Sequence, residues 1–290
     1  MDLNQLKTFV TVAETSSLTR AASLLFLSQP AVSAHIKSLE SEFKVRLFNR
    51  TPRGMELTPT GMVICDEARV ALTAANNVIQ KARTLNGSGT CTLGTISVPV
   101  ILNLPGVLSE LRRRHQNVNL TIRQNISGHI IDAVVSGEMD AGFVIGDIND
   151  QHLGVIPISA ITLCIVGPWA WRSKIQVAEW EDIQTFPWIS TPEKCSFSNI
   201  TQEFFKRHNA TLTPAIIADQ EKTLTELVCL EMGLTLMRED IALPAQDCEQ
   251  IYIWPKAKTV SQVCFIWARN RESSPVIMAL IESVKALWKQ

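Results

Sequence analysis

The chain has 290 residues, 46% of them apolar and 19% charged, enough to build sizeable cores and too many for one small domain. The formal net charge of −1 excludes a protein that is basic throughout, although residues 1–60 carry seven Lys/Arg against five acids and the remainder 20 against 23. The N-terminal run MDLNQLKTFVTV has no basic segment ahead of an apolar stretch, and no run approaches a membrane span, so a soluble cytoplasmic protein is expected. The seven cysteines are odd in number and form no CxxC, a pattern of free thiols in a reducing compartment.

Leu3, Leu6, Phe9, Val10 and Ala13 recur at helical spacing and predict a first amphipathic helix. Ser16 or Ser17 can cap a second helix, where Ala21 and Ala22 are small enough to allow a close crossing. Ser28 is placed as the N-cap of a third helix, with Pro30 tolerated in its first turn. In that helix Val32, Ile36, Leu39 and Phe43 form one stripe, and Pro30, Ser33, Ala34 and Lys37 fall on the opposite face, with Gln29 at the N-terminus. Such a face can enter a major groove: Gln pairs with adenine, Ser serves several bases, and Lys takes phosphate or guanine. Taken alone it also describes an ordinary capped surface helix.

The next segment shifts that balance. Residues 45–50 and 55–58 read as two short strands around Thr51-Pro52-Arg53-Gly54, a wing with Arg53 at its tip and Arg50 at its base, placed for phosphate or minor-groove contact. Thr58 can cap a long helix whose first residue is Pro59. Met62, Cys65, Ala68, Leu72, Ala75, Ile79, Ala82 and Leu85 alternate steps of three and four up to Asn86-Gly87-Ser88-Gly89. A helix that long and that one-sided needs a partner, either the same helix of a second subunit or the chain's own body.

Beyond residue 90 strands and helices alternate. Strands are expected at 91–98, 119–124 and 141–145, with helices over 102–115 and 128–136 between them, which predicts a largely parallel sheet covered on both faces. A second set starts near Thr162 and includes Trp188-Ile189-Ser190, a helix over 199–208, a strand at 215–219 and a helix over 223–232. A strand at 262–267 and a helix over 275–289 follow. Ligands in such sheets bind at strand C-termini between lobes. The candidate lining residues are Ser97, Val98, Pro99, Val100, Asn125, Ile126, Ser127, Gly146, Ser190, Thr191 and Cys195. The apolar run 98–101 favours a ligand with a substantial apolar part over a small inorganic anion. No nucleophile elbow, HExxH, phosphate loop or paired metal ligands occur, and His35, His115, His129, His152 and His208 are dispersed, so neither an enzyme nor a cofactor is expected.

The run Leu18-Thr19-Arg20-Ala21-Ala22 through Leu27-Ser28-Gln29-Pro30-Ala31-Val32-Ser33, then Ile36, Leu39-Glu40, Leu47-Phe48, Arg50 and Leu57-Thr58-Pro59-Thr60-Gly61, resembles the LysR-type transcriptional regulators. The Glu138-Met139-Asp140 turn is similar to theirs as well. The resemblance implies a fold: an N-terminal all-α winged helix-turn-helix with a long linker helix, then a C-terminal α/β two-lobed periplasmic-binding-protein-like (type II) effector domain. It divides the chain into 1–58, 59–89 and 90–290, with lobe I at about 90–161 and 268–290 and lobe II at about 162–267. It implies double-stranded promoter DNA and a small-molecule effector as partners, and a homo-oligomer that dimerises through the linker helix, usually a tetramer. RNA polymerase is a possible further partner. The family's groove contacts fall on Gln29, Pro30, Ser33 and Lys37, and its wing contact on Arg53. Ala34 departs from the long polar or basic residue common there, so base preference does not transfer at that point. Cys195 occupies a place resembling that of the peroxidatic cysteine in the family's peroxide sensors, with Lys194 beside it. No resolving cysteine follows within a dozen residues, and thiol-based redox sensing stays as the alternative.

Overall fold

The computed structural model describes residues 1–52, 54–85, 89–97, 101–115 and 118–288, without the side chains of residues 77, 79–85, 89 and 90. Arg53, the 98–100 run and the 86–88 hinge therefore lie outside the described residues. The contacts divide the chain into two units, Met1–Gly87 with Val135–Glu138, and Ser88–Val134 with Met139–Gln290.

The first unit begins with three helices, α1 (Leu3–Thr15), α2 (Leu18–Leu25) and α3 (Gln29–Phe43). Each start is fixed by a side chain that satisfies first-turn N–H groups. Asp2 accepts from the Gln5 N–H at 2.8 Å while the Gln5 side chain accepts from the Asp2 N–H at 3.0 Å, a capping box. Ser17 rather than Ser16 caps α2, because Ser16 ends α1 in the left-handed region at φ 51°. Ser28 caps α3 by accepting from the Ala31 N–H at 3.3 Å. Phe26 turns the chain between α2 and α3 at φ 55°, an uncommon conformation for a bulky residue, and is 97% exposed.

A hairpin of β1 (Phe48–Thr51) and β2 (Gly54–Leu57) follows, with Arg50 opposite Met55. The expected first strand is shorter than read, since residues 45–47 are not part of it. The Leu47 N–H donates to Glu40 Oε1 at 2.8 Å instead of to a strand, which ties α3 to the hairpin. Gly54 has φ +129° and a Cβ there would lie 2.3 Å from the Ser16 carbonyl oxygen, so the hairpin can press on the end of α1 only with glycine. The core joins Leu6, Phe9, Val12, Ala21, Ala22, Val32, Ile36, Leu39, Leu47 and Phe48, with the Phe9 and Phe48 rings edge to face at 5.5 Å.

Helix α4 (Pro59–Leu85) runs for 27 residues, about 40 Å at 1.5 Å per residue. Thr58 caps it, its Oγ1 accepting from the Gly61 N–H at 2.8 Å. The stripe read as a pairing seam is used differently. Cys65 and Ala68 are buried in the core of the first unit and Leu72 packs against it, whereas Met62 is exposed. The apolar residues left uncovered, Val63, Val70, Ala74 and Val78, recur at helical spacing on the opposite face.

The second unit comprises β3 (Gly89–Thr95), α5 (Leu104–Arg114), β4 (Val118–Gln124), α6 (Ser127–Val135), β5 (Ala141–Ile145), β6 (Leu153–Pro168), α7 (Arg172–Val177), α8 (Trp180–Ile183), β7 (Ile189–Ser190), α9 (Ser196–Arg207), β8 (Ile216–Ile217), α10 (Glu221–Cys229), β9 (Thr235–Arg238), α11 (Glu239–Asp247), β10 (Ile251–Ala268) and α12 (Pro275–Leu287). Six strands form one sheet in the order β4-β3-β5-β10-β6-β9. The expectation of a largely parallel sheet is corrected. β3 is parallel to β4 and β5, but β10 is antiparallel to both β5 and β6, and β9 is antiparallel to β6. The reason lies in two long strands. β6 carries the chain from the first lobe into the second and β10 brings it back, and they pair along almost their whole lengths. Both were read only in part, at 162 onward and at 262–267.

The first lobe packs Phe143, Phe265 and Trp267 in sequence, at 5.2 and 5.9 Å between rings. A Cβ on Gly142 would lie 2.3 Å from Ile130 Cγ2, so glycine lets α6 lie close on β5. Asp140 closes this lobe: its carboxylate accepts from the Thr92 N–H at 2.7 Å and from Arg271, and both partners of that ion pair are buried. The second lobe has its own core of Cys164, Val166, Ile189, Leu224, Val228, Met237, Ile251 and Ile253. A ring stack of Trp180, Phe205, Trp254 and His208 flanks it, with Trp180 and His208 4.4 Å apart.

Candidate functional site

The first unit offers a convex polar face. Gln29, Pro30, Ala34 and Lys37 are exposed and Ser33 half-buried on the side of α3 opposite Val32, Ile36 and Leu39. His35 is held inward by a 2.9 Å contact between Nδ1 and Thr8 Oγ1, which fixes the rotation of the helix. Arg50 is exposed on β1. No ion pair among the described residues engages Lys37 or Arg50, so both charges face outward uncompensated. Phe26 and Leu24 are exposed beside the start of α3, and Phe26 protrudes from a left-handed turn.

The second unit holds a concave site. A cavity of about 170 Å³ lies between its lobes, where β3, β4 and β5 end in the first lobe and β7 and β8 end in the second. Of the expected lining residues, Ser97, Asn125, Ile126, Ser127, Thr191 and Cys195 are on its wall. Two are not. Ser190 is buried with its hydroxyl donating to the Thr191 carbonyl at 3.2 Å, because the strand pleat turns alternate side chains away. Gly146 lines a neighbouring cavity of about 400 Å³ with Asp147 and Lys194, one residue past the Ile145 that separates the two.

The wall also contains Ile96, Gln124, Ile145, Ser196, Phe197, Asp219, Gln220, Glu221 and Leu224, none of them expected. Asp219 to Leu224 follow β8, which is only two residues long and leaves little strand signal to mark its end. The Gln124 amide donates to Ser97 Oγ at 2.6 Å, and Ser127 Oγ accepts from the Ile145 N–H at 3.0 Å. Contacts join the lobes beside the cavity. The Gly128 N–H donates to the Lys194 carbonyl at 3.0 Å, Ser196 Oγ donates to the Ile145 carbonyl, and Lys194 Nζ pairs with Asp132 at 2.5 Å.

Its charges are acidic. Glu221 is bonded to the buried Arg238 at 3.1 Å, and Arg238 is shared with Asp240 at 2.6 Å. Burial pushes the Glu221 carboxyl above its ordinary value, and the nearby Arg238 opposes that only in part. Burial likewise raises the thiols of Cys164, to about 12, and Cys264, to about 11, whereas Cys195 is half-buried at the cavity wall. Among the described residues there is no cluster of His, Cys, Asp and Glu that could hold a metal ion, and no helix long and apolar enough to cross a membrane.

Two family models match the chain: the bacterial regulatory helix-turn-helix protein of the lysR family over residues 3–62, and the LysR substrate binding domain over residues 86–289. The chain belongs to the LysR family. Similar curated LysR-family proteins include the transcriptional regulator CzcR of Bacillus subtilis (strain 168), 24% identical over 290 residues, covering 100% of this chain and 96% of CzcR. CysL of the same organism is 25% identical over 81% of this chain and 80% of its own length. Among solved structures, full-length LysG from Corynebacterium glutamicum, with arginine bound as effector, superposes with a TM-score of 0.53 at 17% identity, covering 100% of this chain and 98% of LysG. Full-length BenM does so with a TM-score of 0.51 at 22% identity, over 99% of this chain and 97% of BenM. This LysR-family chain is thus a DNA-binding transcriptional regulator with an effector-binding domain, and its fold is that of full-length family members.

Proposed function

We propose that α3 lies in the major groove of promoter DNA, that a small molecule in the interlobe cavity modulates that binding, and that the working species is an oligomer paired through α4. In this reading Gln29, Pro30 and Ser33 meet base edges, Lys37 meets phosphate or guanine, and Arg50 and Arg53 grip the backbone or minor groove beside it. The observation that carries it is the uncompensated polar face of α3, held in rotation by His35 and Thr8 and flanked by the hairpin. Ser97, Asn125, Ile126, Ser127, Thr191 and Cys195 form the effector wall, with the unexpected residues beside them. The chain acts in the cytoplasm and catalyses no reaction. Contact with RNA polymerase at the promoter belongs to the same reading.

The pairing face is Val63, Val70, Ala74 and Val78, because the other side of α4 is already committed to its own unit. One head makes few contacts, and pairing two sets the readers a fixed distance apart. LysG carries an arginine effector, which supports ligand binding by a domain of this fold.

Selection from a random duplex library by the full-length chain, followed by fluorescence anisotropy with and without metabolites that raise its melting temperature, tests the proposal. An enriched two-fold-repeated sequence, bound with strong salt dependence and altered in affinity by a stabilising metabolite, is expected. No enrichment, or enrichment indifferent to every stabilising metabolite, contradicts it.

A further inference from the structure

The chemistry of the cavity wall names a class of ligand, an inference that rests on reading this cavity as the effector site. Helices α9 and α10 begin at the wall, with 12 and 9 residues. Their N-cap positions hold Cys195 and Gln220, residue types that cap poorly, and neither side chain makes a capping hydrogen bond. In α9 the Ser198 N–H turns back to the Cys195 carbonyl at 3.1 Å, whereas no hydrogen bond among the described residues engages the Ser196 and Phe197 N–H groups, which carry the positive end of the helix. A second observation points to a ligand at the same place. Thr191 is 7% exposed, lines the cavity, and its Oγ1 has no hydrogen-bond partner among the described residues. A buried hydroxyl without a partner is uncommon in a folded protein.

At the start of α10 the wall makes the opposite demand, because Asp219 and Glu221 flank the Gln220 N-cap. Asp219 and Glu221 bring two carboxylates, and the described lining includes no Lys, Arg or His. Arg238 is spent on Glu221 and Asp240, and no ion pair among the described residues engages Asp219. A ligand that is only an anion meets Asp219 without a counter-charge and Glu221, whose Arg238 is already shared with Asp240. One that is only a cation leaves Thr191 and the first turn of α9 without an acceptor. The apolar part of the wall is Ile96, Ile126, Ile145, Phe197 and Leu224. A cavity of about 150 Å³ accommodates one benzene ring, so about 170 Å³ suits a body of similar size.

We infer that the effector is a small aliphatic α-amino acid. Its carboxylate sits at the first turn of α9 with the Thr191 hydroxyl donating to it, its ammonium faces Asp219 and Glu221, and its side chain packs on the isoleucines and Phe197. A site built to pair both groups rejects analogues that lack either one.

The test is isothermal titration of the full-length chain with the twenty amino acids, and with two analogues of the valine skeleton. Isovalerate keeps the carboxylate and loses the amine, and isobutylamine does the reverse. L-valine or L-leucine binds, and the matching analogues bind at least about tenfold more weakly. Thr191→Val weakens the amino acid about tenfold and leaves isobutylamine unchanged, while Thr191→Ser keeps affinity. Asp219→Asn weakens the amino acid and leaves isovalerate unchanged. An unaltered tryptophan emission spectrum shows that each variant is folded. The inference is overturned if none of the twenty binds at millimolar concentration, if isovalerate matches valine, or if Thr191→Val and Asp219→Asn both bind as the wild type does. Should a metabolite of another class bind and shift DNA affinity, the effector reading stands and the amino-acid assignment falls. If no ligand of any class binds, both fall.

Discussion

The two regions present opposite geometries to the ligands proposed for them. The first unit shows a convex face on one helix, whose residues Gln29, Ser33 and Lys37 are neighbours in sequence and whose orientation depends on a few contacts such as His35 to Thr8. The second presents a concave wall assembled from the ends of five strands and the starts of three helices, spread from Ile96 to Leu224. A long regular polymer can be read by one protruding element, whereas enclosing a small molecule needs walls on several sides. The price of that enclosure is dependence on the packing of the whole body. A substitution far from the cavity can therefore deform its wall, whereas the exposed face of α3 depends on one local core.

The contrast can be broken first at the two cores. Asp140→Ala leaves Arg271 charged and buried, and the loss of one partner of such a pair costs about 3–5 kcal/mol. All seven tryptophans lie beyond residue 90, so urea unfolding followed by tryptophan fluorescence reports on the body alone and shows the loss. Leu39→Ala opens a cavity in the head and costs about 2–5 kcal/mol. That loss is seen by circular dichroism with the tryptophan transition unmoved. Equal movement of both signals in both variants would deny that the regions have separate cores.

Pairing sharpens the comparison. Val70 is exposed, so Val70→Glu leaves the fold intact and adds charge to the unused face of α4. Sedimentation shows dissociation, and affinity for a two-site duplex falls about a hundredfold, as expected when two linked readers become one. An unchanged oligomer places the contact elsewhere.

The smallest effect is chemical. Thiols raised to about 12 and about 11 at Cys164 and Cys264 are fewer than about one in a thousand ionised near neutral pH, and the reactive form is the thiolate. A maleimide at pH 7.5 therefore labels the exposed Cys229 and Cys248 quickly, Cys195 more slowly, and the buried thiols not at all, as mass spectrometry of the native chain would show. A ligand in the cavity protects Cys195 alone. Labelling of Cys195 that no ligand alters would place the ligand away from it.

How far each region could be read in advance follows from the same contrast. The starts of α2, α3 and α4 were legible because Ser17, Ser28 and Thr58 act on residues within one turn. Residues 45–47 were misread as strand because their partner, Glu40, lies on a helix and alternation cannot reveal it. The stripe on α4 was genuine, but which neighbour it faces is a tertiary fact, and Cys65 and Ala68 face inward. In the body, Pro157 in β6 and Pro255 with Lys256 and Lys258 after it in β10 interrupt the apolar pattern, although the two strands pair on both sides of each interruption. Wall residues at the ends of long strands, such as Ser97 and Asn125, were found because their strands are periodic. Asp219 and Glu221 were missed because β8 spans only two residues.

The most direct measurement is the affinity of the wild-type chain, Gln29→Ala and Lys37→Ala for the selected duplex and for a scrambled duplex across a range of salt. Gln29→Ala should lose about 1–3 kcal/mol of preference for the selected sequence while keeping its affinity for the scrambled one. Lys37→Ala should bind more weakly, with a salt slope reduced by about one if it neutralises a phosphate. If both variants match the wild type on both duplexes at every salt concentration, α3 is not the element that reads DNA.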